Sequence, residues 1–206
     1  MNLMAAVILS YLLGSLPTAY LAGRMLKGID IREHGSGNVG ASNTFRVLGR
    51  TPGICVLVID ILKGFLAVAV ISRVLGVSGT FGIVLVGVAA VCGHNWTVFL
   101  GFRGGKGIAT SLGVLIGLTV IFPGLIPVVL ISLMSWSAVL YWFRFISLSS
   151  IVASCILPVS MILTGQKFEI IVLGAVFCIF VVYRHRSNIS RMAQGTEPKV
   201  RIFDRS

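Results

Sequence analysis

The chain is written as long apolar runs separated by short polar segments. A helix that crosses a bilayer needs about 20 mostly apolar residues, and runs of this kind occupy 3–23, 52–72, 79–100, 146–165 and 168–183. Residues 107–143 carry no charged side chain over 37 positions. That is about 55 Å as one helix at 1.5 Å per residue, far beyond a hydrocarbon core of about 30 Å. Pro123-Gly124, with Pro127 close behind, is a turn signal, which divides the stretch into 107–122 and 125–143. The pattern therefore predicts an all-α integral membrane protein with seven transmembrane helices in a single domain, 1–206, the fourth span being short.

Charge supports the division. With seven spans and the N-terminus outside, Arg24, Lys27, Arg32, Arg46, Arg50, Arg103, Lys106, Arg144, Arg184, Arg186, Arg191, Lys199, Arg201 and Arg205 share one side, leaving Arg73 and Lys167 on the other and Lys63 within a span. Cytoplasmic loops carry the excess of Lys and Arg, so the C-terminus is expected in the cytoplasm. Treating 107–143 as one span would move the basic residues after 183 outside. The first basic side chain, Arg24, follows the first apolar run, which reads as a retained span rather than a cleaved signal peptide.

Composition agrees. The chain is 56% hydrophobic and 11% charged, against about 25% charged in soluble domains. Its 24 glycines suit close helix packing in lipid. A net charge of +11 suits anionic headgroups or phosphorylated substrates. The basic residues are scattered between apolar runs, which argues against a nucleic-acid partner. Cys55, Cys92, Cys155 and Cys178 form no metal-binding spacing and read as reduced packing residues.

Within the second span, Asp60 and Lys63 lie on one helix face at i, i+3 and can neutralise each other. A structural ion pair is the simpler reading; part of a buried site is the other.

Three polar clusters fall on the basic side. The first runs Gly35-Ser36-Gly37-Asn38-Val39-Gly40-Ala41-Ser42-Asn43-Thr44-Phe45-Arg46. Its glycines permit positive φ and close approach to an anion. Ser42 is a natural N-cap for a short helix, on which Asn43 and Arg46 would share a face. The second holds Gly93-His94-Asn95-Trp96 and then Phe102-Arg103-Gly104-Gly105-Lys106-Gly107-Ile108-Ala109-Thr110. Small residues leading into an apolar helix offer free N–H groups at its positive end, and Lys106 adds a full charge. Gly107 after Lys106 excludes a Walker A loop. The third is Arg184-His185-Arg186-Ser187-Asn188-Ile189-Ser190-Arg191. If the helix continues there, His185 and Asn188 lie one turn apart.

Two absences narrow the chemistry. Positions five after His34, His94 and His185 are Val39, Phe99 and Ser190, so the His-x4-Asp dyad of soluble-type acyltransferases is missing. No His-Glu metal motif or carboxylate pair occurs. The remaining set binds phosphate and stabilises developing negative charge. A membrane transporter for organic phosphate is the alternative, although transporters place sites near the midplane and show repeats, neither of which is visible.

Together the clusters resemble the bacterial acyl-phosphate:glycerol-3-phosphate acyltransferase family. Its G-S-x-N-x-G-x-[TS]-N-x-x-R pattern matches Gly35 through Arg46, with Ser42 in place of the commoner Thr. Its G-H and F-L-x-F-x-G-G-K-G-[VI]-A-T patterns match from Gly93 to Thr110. Its R-H-R-x-N-[IL]-x-R and later G-x-E match Arg184 to Arg191 and Gly195-Thr196-Glu197. The resemblance implies transfer of a fatty acyl group from a fatty acyl phosphate to glycerol 3-phosphate, without metal or cofactor, at the cytoplasmic side of a bacterial inner membrane. It implies Ser36, Arg46, Lys106, His185 and Asn188 as catalytic residues. It places Gly35, Asn38, Gly40, Ser42, Asn43, His94, Gly104, Gly105, Gly107, Thr110, Ser147 and Arg184 in substrate binding.

Overall fold

A computed structural model describes residues 2–200, all-helical where regular, in two compact units, Met1–Pro123 and Gly124–Ser206. The first unit contains α1 (Asn2–Ser15), α2 (Thr18–Lys27), a 3-10 turn at Ile31–Glu33, α3 (Ala41–Leu48) and α4 (Arg50–Leu66). A π-helical segment, Ala67–Ile71, carries α4 into α5 (Ser72–Val74); α6 (Thr80–Asn95) and α7 (Ile108–Thr119) complete the unit. The second unit contains α8 (Ile126–Phe143), α9 (Ile146–Leu163), α10 (Phe168–Arg184) and α11 (Arg186–Ala193). Arg201 and Arg205, part of the charge asymmetry above, lie outside the described residues.

Every predicted apolar run is helical, with differences that have physical causes. The first run is two helices rather than one. Pro17 lacks an N–H and disfavours helical backbone at Leu16, so α1 ends at Ser15 and α2 begins at Thr18. The division at Pro123-Gly124 appears as a 3-10 turn, Pro123–Leu125. Among the described residues, five stretches are long and apolar enough to cross a membrane: Asn2–Lys27, Arg50–Val74, Thr80–Leu100, Pro123–Phe143 and Ile146–Leu163. A sixth is the pair α10 and α11, bent by 55°. At 12 residues, α7 measures only about 18 Å.

The side-chain distribution inverts that of a soluble protein. Met25, Trp142, Leu163 and Phe168 are 76–82% exposed, whereas Ser10, Ser15, Asp60, Lys63, His94 and Asn95 are buried. Glycine governs packing in the first unit. A Cβ on Gly14 would overlap the Ala90 carbonyl oxygen and one on Gly93 that of Tyr11, so α1 and α6 meet backbone to backbone. Gly64 against Thr110 and Gly113 against Ile61 bring α4 and α7 equally close. Helices in lipid gain most from such contacts, because hydrocarbon tails compete equally for larger apolar side chains. In the second unit Gly174 packs against Met161, joining α9 to α10.

Candidate active site

The first polar segment is fastened at both ends. Gly28 closes α2 in the left-handed region, φ 66°, with its N–H donating to Arg24 O and that of Ile29 to Gly23 O, the αL closure that glycine permits. Asp30 then caps the 3-10 turn: Oδ1 accepts from Arg32 N at 3.0 Å, and the Arg32 guanidinium grips the carboxylate through Nε and Nη2. Those bonds from Arg32 hold the Asp30 carboxyl at about 2, below its ordinary 3.8, against the opposing effect of burial. Ile31 and Val39 are apolar pegs, buried with Ala19, Val56 and Leu100.

Asn43 turns this segment into a fixed loop. Its Oδ1 accepts from Ser36 N at 2.8 Å, while Nδ2 donates to Ile31 O at 3.1 Å and His34 O at 3.0 Å. The amide is therefore consumed by the loop, and Asn43 is buried while Arg46 is exposed, so the two do not present one shared face. The helix starts one residue before Ser42: the N-cap position is Gly40, and Ser42 is exposed in the first turn. Gly40 is buried there in extended backbone, φ −161°, and its carbonyl accepts from Asn43 N and Thr44 N, both at 3.1 Å. Asn38 Nδ2 lies near Gly40, and a Cβ on Gly35 would overlap Asn43 Oδ1. Ser36 and Arg46 are exposed. No acidic residue among those described pairs with Arg46, leaving its guanidinium available to an anion.

The second cluster folds back on α6. Gly104 N donates to Asn95 O at 3.2 Å and Gly105 N to His94 O at 3.0 Å. These two N–H groups are thus spent on backbone rather than offered to a ligand. The glycines serve close approach: a Cβ on Gly104 would overlap His94 O, and one on Gly105 would overlap His94 Nε2 and lie 2.8 Å from Val39 O. Gly105 is where the first cluster meets the second. Gly107, φ 80°, is the N-cap position of α7, whose first N–H groups form the positive helix end, with Lys106 half-buried beside it. Thr110 Oγ1 and both amide atoms of Asn95 are buried without a hydrogen-bond partner among the described residues.

Beneath these loops lies the ion pair anticipated from its spacing, Lys63 Nζ 2.9 Å from Asp60 Oδ1. Thr18 Oγ1 also donates to that oxygen at 2.7 Å, and His94 Nδ1 stands 3.7 Å away. A small recess is bordered by Ser15, Thr18, Lys63, His94, Thr97 and Gly105.

The third cluster belongs to the second unit and does not continue as one helix. The bend falls at His185, whose Nδ1–H donates to Val181 O at 2.8 Å. Its centre is Glu197, which accepts from Ser147 Oγ at 2.7 Å, Asn188 Nδ2 at 2.6 Å and Arg191 Nε at 2.8 Å. Partial burial would raise the Glu197 carboxyl, but the three donors outweigh it and hold the group below its ordinary range. Arg184 is half-buried at the end of α10.

A family model for glycerol-3-phosphate acyltransferase matches residues 4–195. The chain belongs to the glycerol-3-phosphate acyltransferase family. A member from Desulforudis audaxviator (strain MP104C) is 47% identical over 192 residues, covering 93% of this chain and 92% of its own. One from Parasynechococcus marenigrum (strain WH8102) is 45% identical over 192 residues, covering 93% and 87%. Crystal structures of PlsY, an integral membrane glycerol 3-phosphate acyltransferase, match at 36% identity. The glycerol 3-phosphate form gives a TM-score of 0.88 and covers 97% of this chain and 96% of that one. The lysophosphatidic acid form gives 0.84, covering 97% and 95%. This acyltransferase is accordingly a membrane-integral enzyme.

Sequence reasoning on the residues alone underrated Glu197, which entered only through the family pattern. It also missed Thr18, Thr97 and the contact of Asp60 with His94. Glu197 carried a usable signal: an acidic side chain in a tail rich in arginine. Thr18 and Thr97 carried none, because each works on a group distant in sequence.

Proposed function

We propose that this enzyme transfers a fatty acyl group from a fatty acyl phosphate to the sn-1 hydroxyl of glycerol 3-phosphate. The products are 1-acylglycerol 3-phosphate and inorganic phosphate, opening phospholipid synthesis on the cytoplasmic side of a bacterial inner membrane. The observation that carries this reading is the likeness, over 97% of the chain, to an acyltransferase in its glycerol 3-phosphate form. The exposed Arg46 and the Lys106 end of α7 add charge suited to two phosphorylated substrates. Seven membrane segments are proposed, with the short α7 as the fourth and the N-terminus outside. Counting α7 as a crossing keeps the basic residues before and after it on one side.

The donor is already activated, so coenzyme A, ATP and a covalent acyl-enzyme are unnecessary. The glycerol hydroxyl oxygen attacks the acyl carbonyl carbon, and the carbon–oxygen bond to phosphate breaks. The departing phosphate takes the hydroxyl proton, so the substrate supplies its own base. Ser36, Arg46, Lys106 and Asn188 stabilise the developing charge, where positioned donors give the largest gain. In this scheme His185, its Nδ1 held by Val181 O, orients phosphate through Nε2.

The test is purified protein with palmitoyl phosphate and glycerol 3-phosphate, and palmitoyl-coenzyme A as control. Activity with the thioester alone would refute the donor assignment. His185→Gln retains a donor and loses the base; substantial turnover excludes His185 as an obligatory base.

A further inference from the structure

The break at Pro17 is patched by side chains from α4 and from the segment that follows α6. Losing helical continuity frees the carbonyls before the break, and buried carbonyls need partners. Thr97 Oγ1 donates to Ser15 O at 2.5 Å, and Lys63 Nζ donates at 3.0 Å to Leu16 O, which also accepts from Thr18 N at 3.0 Å. Lys63 therefore has two acceptors, the Leu16 carbonyl and Asp60. If bridging this break were the whole task, a lysine alone would serve, and Asp60 would only balance its charge.

The surroundings of Asp60 assign it more. One oxygen, Oδ1, collects Lys63 Nζ, Thr18 Oγ1 and, at 3.7 Å, His94 Nδ1. All the side chains except that of Thr18 are fully buried or nearly so, with Asp60 1%, Lys63 3% and His94 7% exposed. The opposite edge of the His94 ring faces the glycine loop, because a Cβ on Gly105 would overlap Nε2. The ring is a spacer with a carboxylate at one nitrogen and the Gly104–Gly107 loop at the other. The carboxylate, 3.7 Å from Nδ1, attracts that edge of the ring electrostatically, and the ring in turn sets how closely Gly105 can approach α6.

We propose that Asp60, seated by Lys63 and Thr18, is a positioning residue that holds the His94 ring against the Gly104–Gly107 loop and so sets the affinity of that loop for glycerol 3-phosphate. This rests on the reading that glycerol 3-phosphate is the acceptor substrate. Asp60 touches no substrate in this scheme, and its effect passes through His94.

The test compares wild type with the charge-neutral pair Asp60→Asn/Lys63→Gln, with Asp60→Glu and with Thr18→Val. Neutralising both members avoids leaving one buried charge unpaired, the costly case. Three quantities are measured: KM for each substrate at saturating concentration of the other, the melting temperature in detergent, and the 15N signals of His94. In the neutral pair KM for glycerol 3-phosphate rises about tenfold while kcat and KM for palmitoyl phosphate change less than about threefold. The His94 nitrogen signals shift, and Asp60→Glu recovers much of the affinity. Thr18→Val, which keeps both charges, gives a smaller rise in the same KM.

A neutral pair that is folded, with wild-type KM for glycerol 3-phosphate and unmoved His94 signals, overturns the proposal and leaves Asp60 as charge balance for a helix clamp. An equal rise in both KM values also overturns it. If the neutral pair does not fold, Thr18→Val decides: an unchanged KM with unmoved His94 signals counts against the proposal. If wild type forms no acylglycerol phosphate, the function reading fails. The positioning role is then decided by the His94 signals, and their indifference to both substitutions refutes it.

Discussion

Asn43→Ala removes three hydrogen bonds that span the first polar loop, to Ser36 N, Ile31 O and His34 O at 2.8, 3.1 and 3.0 Å. At about 0.5–1.5 kcal/mol net for each bond, the ceiling is about 4.5 kcal/mol. The loop borders water at Ser36 and His34, so freed groups there rehydrate, and about 2 kcal/mol of local stability is the working figure. A loss of that size raises exchange of the Ser36 amide about 30-fold through local opening. Turnover falls with it on the proposed scheme, in which Ser36 in this loop and Arg46 on the helix that follows stabilise the developing charge. Asn43→Asp sharpens the test. It preserves the acceptor for Ser36 N but sets a carboxylate against the carbonyl oxygens of Ile31 and His34, so it is as damaging as alanine despite its identical shape. Amide hydrogen exchange by mass spectrometry, run beside the acyltransfer assay, reads both effects. Unchanged protection of the 31–38 segment in Asn43→Ala, or wild-type behaviour of Asn43→Asp, would refute the argument.

Three further outcomes follow from the geometry. Gly93→Ala places a methyl on the Tyr11 carbonyl oxygen. Because neither helix backbone can yield locally, it lowers stability by about 1–3 kcal/mol or more, visible as a lower melting temperature in detergent; an unchanged value contradicts the close packing of α1 on α6. Gly28→Ala and Gly107→Ala both put alanine at positive φ, 66° and 80°, at a cost of about 1–2 kcal/mol each. Only at Gly107 does the new Cβ also press on Asn95 Oδ1, at 2.6 Å, so only that variant raises KM for glycerol 3-phosphate. Glu197 is held below its ordinary 4.5, so its ionised contacts are fully present above that pH and are lost as pH falls through the lowered folded value. Wild type therefore loses stability in that acid range, as followed by thermal melting against pH, while Glu197→Gln lacks this component at every pH. Parallel curves would remove Glu197 from its central role.

The apolar runs were legible in the sequence, though not the break at Pro17 within the first, because hydropathy is a local property: a run of apolar residues excludes water whatever its neighbours are, and Pro123-Gly124 interrupts a helix through its own backbone. The pairing of Asp60 with Lys63 was equally local, since helix geometry places i and i+3 together. The three polar clusters were visible for a related reason, as polar residues at the ends of apolar runs.

Tertiary structure decided which groups in those clusters are consumed and which are left to act. Asn43 spends its amide on its own loop, while Gly104 and Gly105 spend their N–H groups on the end of α6. Glu197 gathers Ser147, fifty positions away, together with Asn188 and Arg191. A hydrogen bond needs its partners within about 3 Å and aligned. For groups distant along the chain, only folding creates that condition, so residue type announces what a side chain can do and packing selects what it does.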